Sequence, residues 1–159
     1  MSDFKFIRGY KDESQVEQPT NRQVLPTNIA YEPMRVNRFL VIFPESFNIS
    51  PYFIRSTRRP SLSFNRNGNA HSWDDIEFNL IDAIEPSSSR RIFELINSDE
   101  IYSPIVVKLQ MLDPVGTVVS DWSIWGRITS VDFGNLDYSN DDLAEIKLIM
   151  SISNAILNY

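Results

Sequence analysis

Apolar and polar positions along the chain change their rhythm at residue 35. Before it, stretches such as KDESQVEQPTNRQVLPTN are polar, punctuated by proline and rich in glutamine and asparagine, which predicts an extended arm over residues 1–35 and no core element. Phe4, Phe6, Ile7 and Tyr10 near its start are the candidate contacts of that arm. After Arg35 the apolar positions fall at period two. RVNRFLVIF is rich in β-branched and aromatic residues and ends at Pro44, so a strand is expected over 36–43. PYFIRST predicts a second short strand near 52–57, and the polar RRPSLSFNRNGNAHS that follows reads as a long loop or loose hairpin. DDIEFNLID alternates cleanly, with Ile76, Phe78 and Leu80 on one side and Glu77 and Asn79 on the other: a half-buried strand.

A single segment has helical spacing. EPSSSRRIFELINS opens on proline and several candidate serine caps, and Ile92, Leu95 and Ile96 then fall at i, i+3 and i+4. A helix of about ten residues is too short to hold by itself, so it must pack on a sheet. The C-terminal half is all strand: SPIVVKLQML, a DPVG turn, the return strand TVVSDWSIWGRIT, then VDFGNLDY and the polar turn SNDD. Trp122 and Trp125 are three apart and so face opposite ways unless a bulge intervenes, and Gly126 marks a bulge or bend. Last comes LAEIKLIMSISNAILNY, without proline or glycine. It reads as one long strand with Ile146, Leu148, Met150, Ile152 and Ile156 on one face and Glu145, Lys147, Ser151 and Ser153 on the other.

Composition adds limits. The 159 residues are 42% apolar and 23% charged, an ordinary globular balance and one domain's worth of length. There is no cysteine, which excludes disulfides, thiolate metal sites and a cysteine nucleophile. No apolar run approaches the ~20 residues of a membrane helix. The opening MSDFKFIRGYKDES lacks a hydrophobic core followed by a small-residue cleavage site, so no signal peptide is expected. The net charge of −6 argues against a nucleic-acid-binding surface spread over the chain. That charge is unevenly divided. Residues 36–73 hold Arg38, Arg55, Arg58, Arg59 and Arg66 against Glu45 alone, whereas 74–159 hold fifteen acids against five bases. A positive and a negative segment on one small chain suit self-complementary surfaces.

Catalytic chemistry finds little support. His71, Asp74 and Asp75 form the densest candidate cluster, but one histidine and two adjacent carboxylates on a strand do not converge as a metal or acid–base site requires. The only histidine has no serine in a nucleophile elbow to serve, and the glycines never take phosphate-cradling spacings. Many carboxylate pairs exist and nothing selects one. No enzyme, metal or cofactor is expected. The arginines of FIRSTRRPSLSFNRNGN, interleaved with Tyr52, Phe53 and Phe64, fit an acidic protein partner.

Taken in order, W-D-D-I-E-F-N-L-I-D before the only helix, D-W-S-I-W-G-R-I in a hairpin, and the ending G-N-L-D-Y-S-N-D-D-L-A-E-I-K-L-I-M-S-I-S-N-A-I-L-N-Y resemble the tail tube proteins of contractile-tailed bacteriophages and the related ring proteins of type VI secretion. Trp73, Asp74 and Asp75 carry the first feature; Trp125, Gly126, Leu136, Asp137, Tyr138, Asn140, Ile146 and Tyr159 carry the others, and the likeness spans about residues 35–159. It implies a mainly β fold with one short helix, a β-sandwich or half-barrel over 36–159 whose strands complete a hexameric inner barrel. Rings would stack head to tail into a hollow conduit for DNA and ejected proteins. The implied partners are further copies of the chain, the sheath, baseplate and tail-end proteins and a tape measure protein. DNA would pass without specific binding, in a virion tail assembled in the host cytoplasm. On this footing Arg55, Arg58, Arg59 and Arg66 would meet Asp137, Asp141 and Asp142 across rings or subunits, and Asp142 and Glu145 would give an acidic lumen or ring surface. The long arm and strong arginine cluster depart from the family pattern and fit a tube initiator, a terminator or a secretion-system ring. A monomeric β-sandwich binding module is the alternative of another class.

Overall fold

Strict alternation of inward and outward side chains builds six strands into one antiparallel sheet. A computed structural model describes residues 33–64 and 71–159. The strands are β1 (Phe39–Ile42), β2 (Ile54–Ser56), β3 (Leu62–Phe64), β4 (His71–Trp73), β5 (Ile76–Ile81), β6 (Ile105–Leu112), β7 (Val118–Asp132) and β8 (Glu145–Leu157), with the single helix α1 (Ser88–Asn97) between β5 and β6. The large sheet runs β1-β6-β7-β8-β5-β2, and β3 and β4 form a separate hairpin. The sheet curls until its ends nearly meet, because the turn Pro51–Phe53 that leads into β2 lies beside β1. The result is a nearly closed six-stranded barrel. All these elements lie in one compact unit, Val36–Tyr159.

Inward-facing apolar residues fill the barrel. Val41, Phe78, Leu80, Val107, Ile124, Ile146 and Met150 are fully buried. Phe43 stacks on Phe47 and meets Phe78 edge-on, with ring centroids 5.2 Å apart. The expected alternation of β5 holds at every position. The helix is held where the serines predicted it: Ser87 caps the first turn by accepting from the Arg90 N–H at 3.2 Å, and Ile92 and Leu95 are buried. Asp82 completes the cap, accepting from the Ser89 N–H at 3.1 Å. Burial raises its pKa, but the hydrogen bonds from Ser89, Ser87 and Ser88 outweigh that and hold it below its ordinary value.

Several expectations shift. The first strand is four residues long, and residues 51–53 form a 3-10 turn ahead of β2. The excursion after Arg58 contains the β3–β4 hairpin, with Leu62 opposite Trp73. Trp122 and Trp125 do face opposite ways: Trp122 packs on the core, while Trp125 stands on the outer face beside Val106 and Arg127. Ile156 is half exposed and belongs to the outer face, and Ala155 is the buried residue. The reason is a bulge at Ser153.

Candidate assembly surfaces

The longest elements, β7 and β8, form a ribbon that outruns its neighbours. Its register shifts twice. Trp125 pairs with Asn154 and Gly126 with Ile152, so Ser153 is extra on β8; Ile128 pairs with Met150 and Ser130 with Ile149, so Thr129 is extra on β7. Each bulged residue turns its hydroxyl to the opposite strand: Ser153 donates to the Trp125 carbonyl at 3.2 Å and Thr129 to the Ile149 carbonyl at 3.3 Å. One bulge on each strand restores the register while adding twist, so the ribbon stays paired from Trp122–Leu157 to Asp132–Lys147. Gly126, expected at a bend, sits against the first bulge.

Because the ribbon is long, it leaves two edges open. β6 pairs with β7 only as far as Gly126, and β5 pairs with β8 only as far as Met150. Among the described residues, no strand pairs with 127–132 on the outer edge of β7 or with 151–157 on the outer edge of β8. The β3–β4 hairpin approaches β8 without joining it. These edges lie on opposite sides of the ribbon and run antiparallel to one another.

The outer face of the sheet is polar, and its charges stand in pairs. Lys147 lies 3.5 Å from Glu77, and Arg55 pairs with Glu145 across β5. Lys108 reaches Asp121 at 2.9 Å. Asp121 is 5% exposed and also accepts from Gln110 at 3.2 Å and Asn158 at 2.9 Å, while its backbone exchanges hydrogen bonds with Asn158 and Tyr159. Burial raises its pKa; the hydrogen bonds from Lys108, Asn158 and Gln110 and the charge of Lys108 more than reverse this, and the carboxyl titrates below its ordinary value. The cluster anchors the C-terminal end of β8. Nothing in the sequence pattern singles it out, since alternation assigns Asp121 simply to the solvent side.

A carboxyl whose folded pKa is depressed adds stability that is complete above its unfolded value of 3.8 and is lost as pH falls through the folded value. Asp82 acts in the same direction. The thermal midpoint is therefore expected to be level down to about pH 5 and to drop below about pH 4. Asp121→Asn should lower the plateau and flatten the drop. An acid limb identical in the two proteins would sink this assignment.

The residues singled out in the sequence divide into groups. Arg55, Asp142 and Glu145 line one shallow hollow of about 300 Å³ with Asp132 and Lys147, so acids here stand beside cations. Arg58 is exposed and donates to the Asp75 carbonyl at 2.8 Å, shielding the edge of β5, and Arg59 is exposed nearby. Asp137 and Asp141 are exposed on the loop joining β7 to β8. Asp137 accepts from the Ser139 backbone at 2.9 Å and hydroxyl at 2.7 Å, which lowers its pKa. His71, Asp74 and Asp75 do not converge, and among the described residues no three His, Asp or Glu side chains gather as metal ligands would. Arg66, Phe4, Phe6 and Tyr10 lie outside the described residues. None of the helices described is long and apolar enough to cross a membrane.

A curled six-stranded sheet with one helix and a projecting ribbon is a fold seen in chains of contractile injection systems. The structure is similar to a chain of the sheath–tube complex of the extracellular contractile injection system PVC in its extended state, with a TM-score of 0.60 and 16% identity over 86% of this chain and 99% of that one. A chain from the sheath/tube terminator of the same system gives 0.62 and 16%, covering 80% and 98%. A chain of the anti-feeding prophage baseplate, solved with six-fold symmetrisation, gives 0.55 and 16%, covering 79% and 95%. No protein-family model and no curated protein matches the sequence. The likeness therefore lies in the fold, and it agrees with the resemblance carried by the sequence motifs.

Proposed function

We propose that the chain is a structural ring subunit of the tube of a phage-type contractile apparatus, without catalytic activity of its own. The observation that supports this best is the pair of open edges on the β7–β8 ribbon. An open strand edge is a liability in a monomer and a template for a partner. Here six residues of one edge and seven of the other are matched in length and direction, so the β7 edge of one copy can continue the sheet onto the β8 edge of the next. Such a contact joins two different surfaces and closes into a ring when the rotation permits. Six copies are the natural number by likeness to the six-fold baseplate chain.

Stacked rings would form a conduit for DNA or ejected proteins, surrounded by sheath and ending at baseplate or terminator proteins, with a tape measure protein inside during assembly. The particle would be a virion tail, built in the host cytoplasm. Arg58 and Arg59 on one side and the acids Asp137, Asp141 and Asp142 on the other are the charges that would face neighbouring copies. A place at the end of the tube, as initiator or terminator, is the second reading, favoured by the likeness to the terminator chain.

Negative-stain electron microscopy of the purified chain across a concentration series tests the proposal. Six-fold rings or hollow rods are expected, with rings that do not lengthen marking a tube-end role. Monomers at every concentration would overturn self-assembly and turn attention to a monomeric binding module.

A further inference from the structure

The β8 edge on which ring closure depends is thinly held. Residues 145–150 lie between β5 and β7, but 151–157 pair with β7 alone and carry the bulge at Ser153. Of those seven residues only Ile152 and Ala155 are buried, so the core grips the segment at two points. A strand with one partner and little buried apolar surface is the kind of element that opens locally while the fold persists.

A polar cluster just past the segment supplies the missing hold. The Asn158 N–H donates to the Asp121 carbonyl at 2.7 Å, and the Asp121 N–H donates to the Tyr159 carbonyl at 2.8 Å. Side chains double this tie: Asn158 Nδ2 donates to the Asp121 carboxylate at 2.9 Å and to the Ser123 hydroxyl at 3.0 Å. From the β6 side, Lys108 Nζ reaches the same carboxylate at 2.9 Å and the same hydroxyl at 3.3 Å, and Gln110 donates to Asp121 at 3.2 Å. Asp121 and Ser123 are both buried, and charge-assisted hydrogen bonds in such a setting are strong. β6 and β7 are already joined by a ladder from Ile105 to Leu112, so what the cluster adds is its hold on residues 158 and 159.

Resting on the ring reading above, we infer that Asp121 and Asn158 are positioning residues for assembly, a clasp that keeps the 151–157 edge extended and ready for the β7 edge of the next copy. The gain is preorganisation. When only a fraction of copies holds the competent form, apparent affinity falls by that fraction, so an edge ordered one-tenth of the time weakens a joint about tenfold. Ring closure repeats the joint at every copy, which compounds the loss. In this role the two side chains act through the strand and not as contacts with the neighbour.

Asn158→Ala cuts the side-chain tie and leaves the Lys108–Asp121 pair in place. Three measurements on the full chain read its effect: the urea midpoint, amide hydrogen exchange of the monomer at low concentration, and the concentration of half-complete assembly. The midpoint is expected to stay close to that of the wild type. Exchange should be about tenfold faster in 151–157 and unchanged in 145–150, with half-assembly at roughly tenfold higher concentration or more. Asp121→Asn, which gives up the charge that Lys108 meets, should move exchange and assembly in the same direction. Unchanged exchange in 151–157 would overturn the clasp, as would assembly at wild-type concentrations despite faster exchange. Assembly lost in Asn158→Ala but kept in Asp121→Asn would make Asn158 a contact with the neighbour and overturn it too. In each of these cases the wild type still assembles and the ring reading stands. A wild type that stays monomeric at every concentration would overturn both.

Discussion

Gly126→Val is expected to prevent the β7–β8 ribbon from forming and with it the whole fold. A Cβ at this position would lie 2.1 Å from the Ser151 carbonyl oxygen and 3.0 Å from both the Ser151 carbonyl carbon and Met150 Cε. Two of those three atoms are backbone of Ser151, which is held in the β7–β8 pairing opposite Arg127, so swinging a side chain away does not relieve the clash. Overpacking a core with flexible neighbours costs about 1–3 kcal/mol. A rigid backbone contact should reach or exceed the top of that range, a large part of the roughly 5–15 kcal/mol that a domain possesses. Gly116→Ala is the comparison: Gly116 has φ +92 but nothing within 4 Å of the added carbon, so only backbone strain of about 1 kcal/mol applies. Urea denaturation of the two variants measures the difference. If Gly126→Val unfolds within about 1 kcal/mol of the wild type, the close approach of the two strands is not as described.

Much of this fold is legible from residue order alone, and the exceptions have a common cause. The alternation of Ile76, Phe78 and Leu80, the serine-capped stripe of α1 and the DPVG turn are local signals, and each yields its element. What escapes is non-local. Ser153 carries no mark of a bulge, yet the extra residue turns Ala155 inward and Ile156 outward, against the simple alternation of the last strand. Arg55 and Glu145 are ninety positions apart and meet only because β2 and β8 both flank β5. Asp121 is buried on a face that alternation assigns to water, because Lys108, Gln110 and Asn158 from two other strands close over it. The open edges are likewise a property of unequal strand lengths. A long final strand can be read in the sequence, but the point where its neighbours stop depends on which strands those are.

That last point gives the second large effect: Leu157→Pro should fold as the wild type does and form no rings. Asn158 donates its N–H to the Asp121 carbonyl at 2.7 Å, so the N–H of residue 158 points toward β7. Backbone direction alternates along an antiparallel strand, which turns the N–H of Leu157 away from β7, toward the open edge. A proline there removes one donor from that edge and places its ring in the path of an incoming strand. Within the monomer little is lost, since Leu157 is half exposed and its N–H serves no strand among the described residues. The expected change in stability is about 1 kcal/mol or less. Leu157→Ala separates backbone from side chain, because it trims the same apolar surface and keeps the N–H. If rings close by strand addition, the alanine variant assembles and the proline variant stays monomeric in mass measurements at concentrations where the wild type assembles. If the two assemble equally well, the β8 edge is not the joint, and ring closure must use side-chain contacts elsewhere on the barrel.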